Sequence, residues 1–237
     1  MTTIKANVFF AFLFWTSAFL ISSCNHSDKN SIPVQGNTSK NKDKKNNSLI
    51  PVFNEGIPLE NTTSIMYPIA LGVAGKDDEG LKKYRSDSDS GPYWNIAFYD
   101  HKTGVSSLLD SGRTILINSF QKLKEVIIYS VRIKDYNGDG KLDRNDPVCL
   151  FTSNLAGKNF KQITPDHLDA RNFRSIDKSN IILIQAISDS NKDKAFDDDD
   201  LVTPMIFDSE KAETAKETFN SSFKNEVNKA FNQLYKN

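Results

Sequence analysis

Residues 125–153 read EVIIYSVRIKDYNGDGKLDRNDPVCLFTS. Both ends are apolar and rich in β-branched and aromatic residues, which is strand composition. Between them Asp135, Asn137 and Asp139 alternate, Gly140 follows, and Lys141, Asp143 and Asp146 complete a twelve-residue loop at positions 7, 9 and 12. A hard cation needs about six to eight oxygens, and a tightly coiled loop presents alternate side chains to it. Pro147 directly follows the loop and disfavours helix at Asp146. The loop therefore joins two strands, and a bound ion is expected to pin them across a long connection.

The pattern recurs. NIILIQAISDSNKDKAFDDDDLVTPMIFD, residues 180–208, repeats apolar run, acidic loop and apolar run, with Asp189, Asn191, Asp193, Ala195, Asp197 and Asp200 in the corresponding places. Lys194 replaces the glycine of position 6. A left-handed backbone there costs a non-glycine residue roughly 1–2 kcal/mol, which predicts a weaker second site. An earlier, degenerate copy runs from IMYPIALGV (65–73) through KDDEG and RSDSDSG to YWNIAFYD (93–100).

On these residues the first loop resembles the calcium loop of EF-hand and dockerin proteins, and the second resembles it less closely. The resemblance implies Ca2+ held by Asp135, Asn137, Asp139, Asp143 and Asp146 with the carbonyl of Lys141. In the second loop it implies Asp189, Asn191, Asp193, Asp197 and Asp200 with the carbonyl of Ala195. Leu142, at position 8, is expected to turn into the core. Aspartate at position 12, where the EF-hand has glutamate, reaches an ion less easily with both oxygens. Without flanking helices there is no helix pair to open, so a sensor role is disfavoured.

The unit extended through LFTSNLAGKNFKQIT (150–164) also resembles a blade of TolB-like β-propellers. Three units are fewer than the four blades a propeller usually has at minimum. The expected fold is mainly β: an antiparallel meander of strand-loop-strand units, propeller-like or an open sheet or sandwich, with one C-terminal amphipathic helix. Further strand-like runs are 105–109, 113–120, 160–164 and 201–208, with Gly104 and Gly157 in hairpin turns. Ala215, Phe219, Phe223, Val227, Ala230, Phe231 and Leu234 recur at helical spacing. They predict a helix over 211–236 that lays its apolar stripe on a sheet.

The beginning of the chain differs in kind. An apolar run of about 16 residues is short for a membrane span and suits the centre of a signal peptide. LISSC, ending at Cys24, resembles the lipobox of bacterial lipoproteins. That resemblance implies lipid on Cys24, removal of residues 1–23 and attachment to a membrane of the bacterial cell envelope, on the periplasmic side or at the cell surface. Residues 24–50, polar and rich in Asn, Lys and Ser, read as a flexible tether, leaving 51–237 as one β-rich domain.

Lipidation of Cys24 leaves only Cys149, so no intrachain disulfide is expected. Thirty basic residues balance thirty acidic ones, which argues against a nucleic-acid partner. His26, His101 and His167 lack metal-ligand spacing, and no nucleophile or phosphate-loop motif is present. Tyr93 and Trp94 suit core packing better than a sugar platform. The sequence therefore favours a noncatalytic module that binds an envelope protein or glycan. The alternative is an envelope hydrolase acting on glycans, built from scattered residues such as Asp77 and Asp78.

Overall fold

A computed structural model describes residues 32–33, 48–74, 92–211 and 213–235. Cys24 with its leader, His26, Asp77, Asp78 and the acidic loop of the earliest copy lie outside the described residues.

The short strand β1 (Ile32–Pro33) comes first, and then β2 (Ser48–Phe53), β3 (Ile57–Pro58), β4 (Ser64–Ala74), β5 (Asn95–Asp100) and β6 (Ser106–Leu108). The chain continues with β7 (Leu116–Leu123), β8 (Val126–Arg132), β9 (Lys141–Leu142), β10 (Cys149–Asn154) and β11 (Lys161–Gln162). It ends with β12 (Leu168–Ser175), β13 (Ile181–Ser188), β14 (Leu201–Asp208), β15 (Lys216–Glu217) and the helix α1 (Ser221–Tyr235).

Three antiparallel meanders result, ordered β2-β4-β5-β6, β7-β8-β10-β11 and β12-β13-β14-β15, with β3 also pairing with β4. The fold is mainly β with one C-terminal helix, as the sequence predicts. Both acidic loops connect the second strand of a meander to the third, β8 to β10 and β13 to β14.

The central strands of the middle meander, β8 and β10, are buried on both faces. Ile127, Tyr129, Val131 and Phe151 join Met66, Ile96 and Phe98 of the first sheet in one core. Ile128 and Leu150 turn the other way, onto Ile182, Ile184, Met205 and Phe207 of the third. A strand covered on both faces reads as an unbroken apolar run, which is why IIYSV does not alternate. Backbone bonds join successive sheets: Tyr93 N to Ile117 O at 2.8 Å, Ala170 N to Val148 O at 2.7 Å and Ala215 N to Ile163 O at 2.7 Å. The β10–β11 turn fits closely under the first sheet. Gly157 has φ +71°, and a Cβ there would collide with the Phe98 ring.

Three expectations need correction. The folded region starts at Ser48, inside the stretch assigned to the tether, because β2 pairs with β4 along its whole length. Pro51 is tolerated there because β2 is an edge strand. Part of the expected tether is also engaged further upstream, where Ile32 and Pro33 pair with Leu142 and Lys141. The helix begins at Ser221, not at 211: Lys216 and Glu217 extend the third sheet as β15, and Ala215 is buried. Asn220 then caps the helix, its Oδ1 accepting the Phe223 N–H at 2.9 Å. Finally, the helix buries none of its residues, so its apolar stripe covers no sheet.

Candidate metal centre

Each acidic loop is wound around its own carboxylates. Asp135 accepts the N–H groups of Gly138 (2.7 Å), Asp139 (3.1 Å) and Gly140 (2.8 Å). Asn137 accepts that of Asp139 and Asp139 that of Lys141, both at 2.9 Å. Asp143 accepts from Asn145, while Asp146 takes Tyr136 N–H on Oδ1 and Asp143 N–H on Oδ2. The second loop repeats the winding. Asp189 accepts from Lys194, Asn191 from Asp193, Asp193 from Ala195 and Asp197 from Asp199. Asp200 accepts the Ser190 N–H on Oδ1 and the Asp197 N–H on Oδ2.

Backbone handedness matches as well. Gly138 and Gly140 have φ of +78° and +81°, and Lys192 and Lys194 have +64° and +68°. The requirement at position 6 was legible in the sequence. The equal requirement at position 4 was missed, although Gly138 marks it in the first loop. At position 8, Leu142 and Phe196 are both buried.

Burial divides each loop into an outer and an inner half. Asp139, Asn191, Asp193, Ala195 and Asp197 are exposed, whereas Asp143, Asp146 and Asp200 are buried. Burial pushes the Asp146 carboxyl above its ordinary range, against the bonds it accepts from Asp143 and Tyr136. Asp200 is held below that range, chiefly by the Ser190 N–H. Arg132 donates to the Asp146 carbonyl at 2.8 Å. Burial draws its guanidinium below the usual range, and Asp169, Asp146 and Asp143 oppose that shift.

As the loops stand, no three His, Cys, Asp or Glu side chains among the described residues are gathered tightly enough to hold an ion. The donor set is nonetheless oxygen throughout, as a hard cation requires. Three buried side-chain polar atoms among the described residues lack a partner: Trp94 Nε1, Thr152 Oγ1 and Asp189 Oδ1. Of these only Asp189 Oδ1 belongs to a carboxylate, and it stands at position 1 of a loop. A buried, unpaired carboxylate oxygen is costly, and a cation relieves that cost.

The two loops also touch one another, which the sequence did not reveal. Tyr136 donates its hydroxyl to Asp189 Oδ2 at 3.0 Å, and its ring lies 5.1 Å from that of Phe196. Arg171 bridges Asp169 and the Phe196 carbonyl, and Asp169 accepts the Val148 N–H just beyond the first loop.

The candidates for other chemistry are placed as follows. Cys149 is buried, its thiol pushed up to about 12 by burial, then by Asp166 and Asp169. That leaves almost no thiolate near neutral pH. His101 lies exposed in the turn after β5, and His167 lies exposed just before β12. Tyr93 is a core residue packed near Phe120. An open groove of about 450 Å³ is lined by residues 107–113 and 157–160 and holds a single carboxylate, Asp110. Asp110 is paired with Arg113 at 2.5 Å, and the guanidinium lies over Phe151 and Phe160. Glycoside hydrolysis by the usual route takes two carboxylates. Comparison with protein-family models, curated proteins and solved structures yields no match for this chain.

Proposed function

We propose that this protein is a lipid-anchored module of the bacterial cell envelope whose β domain is stabilised by Ca2+ in the two acidic loops. In this reading it is noncatalytic and presents its stacked sheets to an envelope protein or glycan, with Cys24 carrying the lipid. The observation that carries the calcium reading is Asp189 Oδ1, a buried carboxylate oxygen without a partner at the first ligand position. The ions would close loops that join strands across the middle and third sheets, the work disulfides do in other exported domains. The hydrolase alternative finds one carboxylate in the groove and gains no support from it.

Calorimetry of the purified protein with calcium and with a chelator tests the stabilising ion. Ligand at a hundredfold excess over its Kd is expected to add about 2.7 kcal/mol per site. Identical melts under both conditions would refute the calcium reading. Labelled fatty acid should attach to the wild type in a bacterial host and fail to attach to Cys24→Ser. Equal labelling of both would remove the anchor.

A further inference from the structure

We propose that α1 is an interaction surface for a second copy of this chain, laying its apolar stripe on the outer face of that copy's third sheet. The helix needs a cover. It has 15 residues, with Asn225, Asn228 and Asn232 in its interior, and it buries none of them. Isolated helices of about 12–15 residues are marginal in water, and most helical stability comes from packing an apolar face. Phe223, Val227, Phe231 and Leu234 form that face and are exposed. Phe219 and Tyr235 prolong it, their rings 5.0 Å from Phe223 and 5.1 Å from Phe231.

A surface of matching kind and length lies on the same molecule. Ile184 and Met205 are paired on the inner face of β13 and β14, so Leu183 with Ile206, Gln185 with Pro204 and Ile187 with Val202 face outward. All but Gln185 are apolar, none belongs to a core cluster, and Val202 is 56% exposed. The two strands run about 27 Å and the helix about 22 Å. The stripe is kept off its own sheet. Thr218 N–H is bonded to the Pro204 carbonyl at 2.9 Å, Lys224 pairs with Glu217 of β15 and Asn220 caps the helix, so the first turn is tied to the sheet edge while the stripe stays exposed. A two-fold pair covers both surfaces on both copies. Four half-exposed aromatic rings offer on the order of 400 Å² per helix. With the facing sheet and the symmetric contact, the covered area reaches the roughly 1,200–2,000 Å² of stable interfaces. An anionic lipid surface fits less well, because Glu226 and the asparagines share the polar face and Lys224 is already paired.

Disulfide trapping of the full chain in intact cells of a bacterial host tests the pair. Two differently tagged forms are expressed together, one carrying Val227→Cys on the helix and the other Val202→Cys on the sheet. Cys149 is buried, and the wild type serves as the blank for Cys24. An oxidant should link the two tags. Phe231→Asp in the helix-bearing form should abolish the link and leave the melt of the dilute protein unchanged, since the helix adds no burial to the monomer. By mass action, removing 221–237 is silent in the dilute monomer and lowers the melting temperature of the concentrated protein. A link formed only between two Val227→Cys chains would overturn the proposal in favour of helix pairing with helix. A link within one chain carrying both substitutions, with none between tags, would show that the stripe covers its own sheet. No link, with a fluorophore on Val227→Cys quenched by vesicles of brominated phosphatidylglycerol, would place the stripe on lipid, and no link without quenching would leave it uncovered; each overturns the pair.

Discussion

Lys192 and Lys194 occupy backbone conformations that favour glycine, and the first loop uses glycine at both equivalent positions. Relief of that strain makes a clear prediction: Lys194→Gly stabilises the protein by about 1 kcal/mol, read from urea unfolding. A destabilised variant would show that the lysine side chain has a compensating role. At the same scale, the proposed calcium role predicts that Asp135→Ala lowers the melting-temperature rise on adding calcium more than Asp189→Ala does. Asp135 organises three N–H groups, and its loop is the less strained.

Asp100 offers a test by pH. Its carboxyl is held down to about 2, first by the Thr63 hydroxyl and then by the Thr103 N–H. A folded-state value below the unfolded one, about 3.9, means that stability is present above about pH 4 and lost as pH falls toward 2. Thr63→Val removes the leading cause, so the drop in urea midpoint between about pH 5 and about pH 2.5 should shrink. An unchanged drop would relocate the acid sensitivity to other carboxylates.

Among the elements, α1 and β15 behave oppositely although they are close neighbours in the chain. Phe223, Val227, Phe231 and Leu234 are 44%, 50%, 51% and 72% exposed, so the helix contributes little burial to the fold. Removing residues 221–237 should leave the melting temperature unchanged, whereas removing 213–237 should lower it. The second cut takes away Ala215 and the pairing of β15 with β14. A drop on the first truncation would show that the helix packs in solution. The helical period itself was legible in the sequence, but what the stripe faces was not. Periodicity reports an amphipathic element and says nothing about its neighbour.

Two of the strands missed in the sequence share one cause. β2 and β12 lie at sheet ends, and β12 has a register shift between Asp169 and Asn172. An edge strand carries polar residues and proline, so LDARNFRS lacks the apolar run that marks β8 and Pro51 interrupts SLIPVF. The two loops were legible almost residue by residue, because their winding is local: each carboxylate binds N–H groups within a few positions. Tyr136 was not singled out, since its partner lies 53 residues away and no local pattern encodes that pairing.

At the scale of the molecule, the middle sheet is the shared core of all three. Phe151 faces the first sheet and Leu150 the third, and both are fully buried. Phe151→Ala should lose about 3–5 kcal/mol and Leu150→Ala about 2–5 kcal/mol. Each variant should still unfold in one transition, because neither outer sheet keeps a covered face without the middle one. Two separated transitions in Leu150→Ala would show that the third sheet melts alone.

The sequence by itself determined the mainly β class, the repeated strand-loop-strand unit and the alternating acidic pattern of both loops. These depend on side-chain period and on spacing within about a dozen residues, which the chain writes directly. The tertiary structure alone decided that the meanders stack with the middle one enclosed and that the helix stands uncovered. It also decided that Tyr136 of one loop meets Asp189 of the other. These are contacts between distant segments, selected by which apolar faces can be buried together, and no local pattern specifies them.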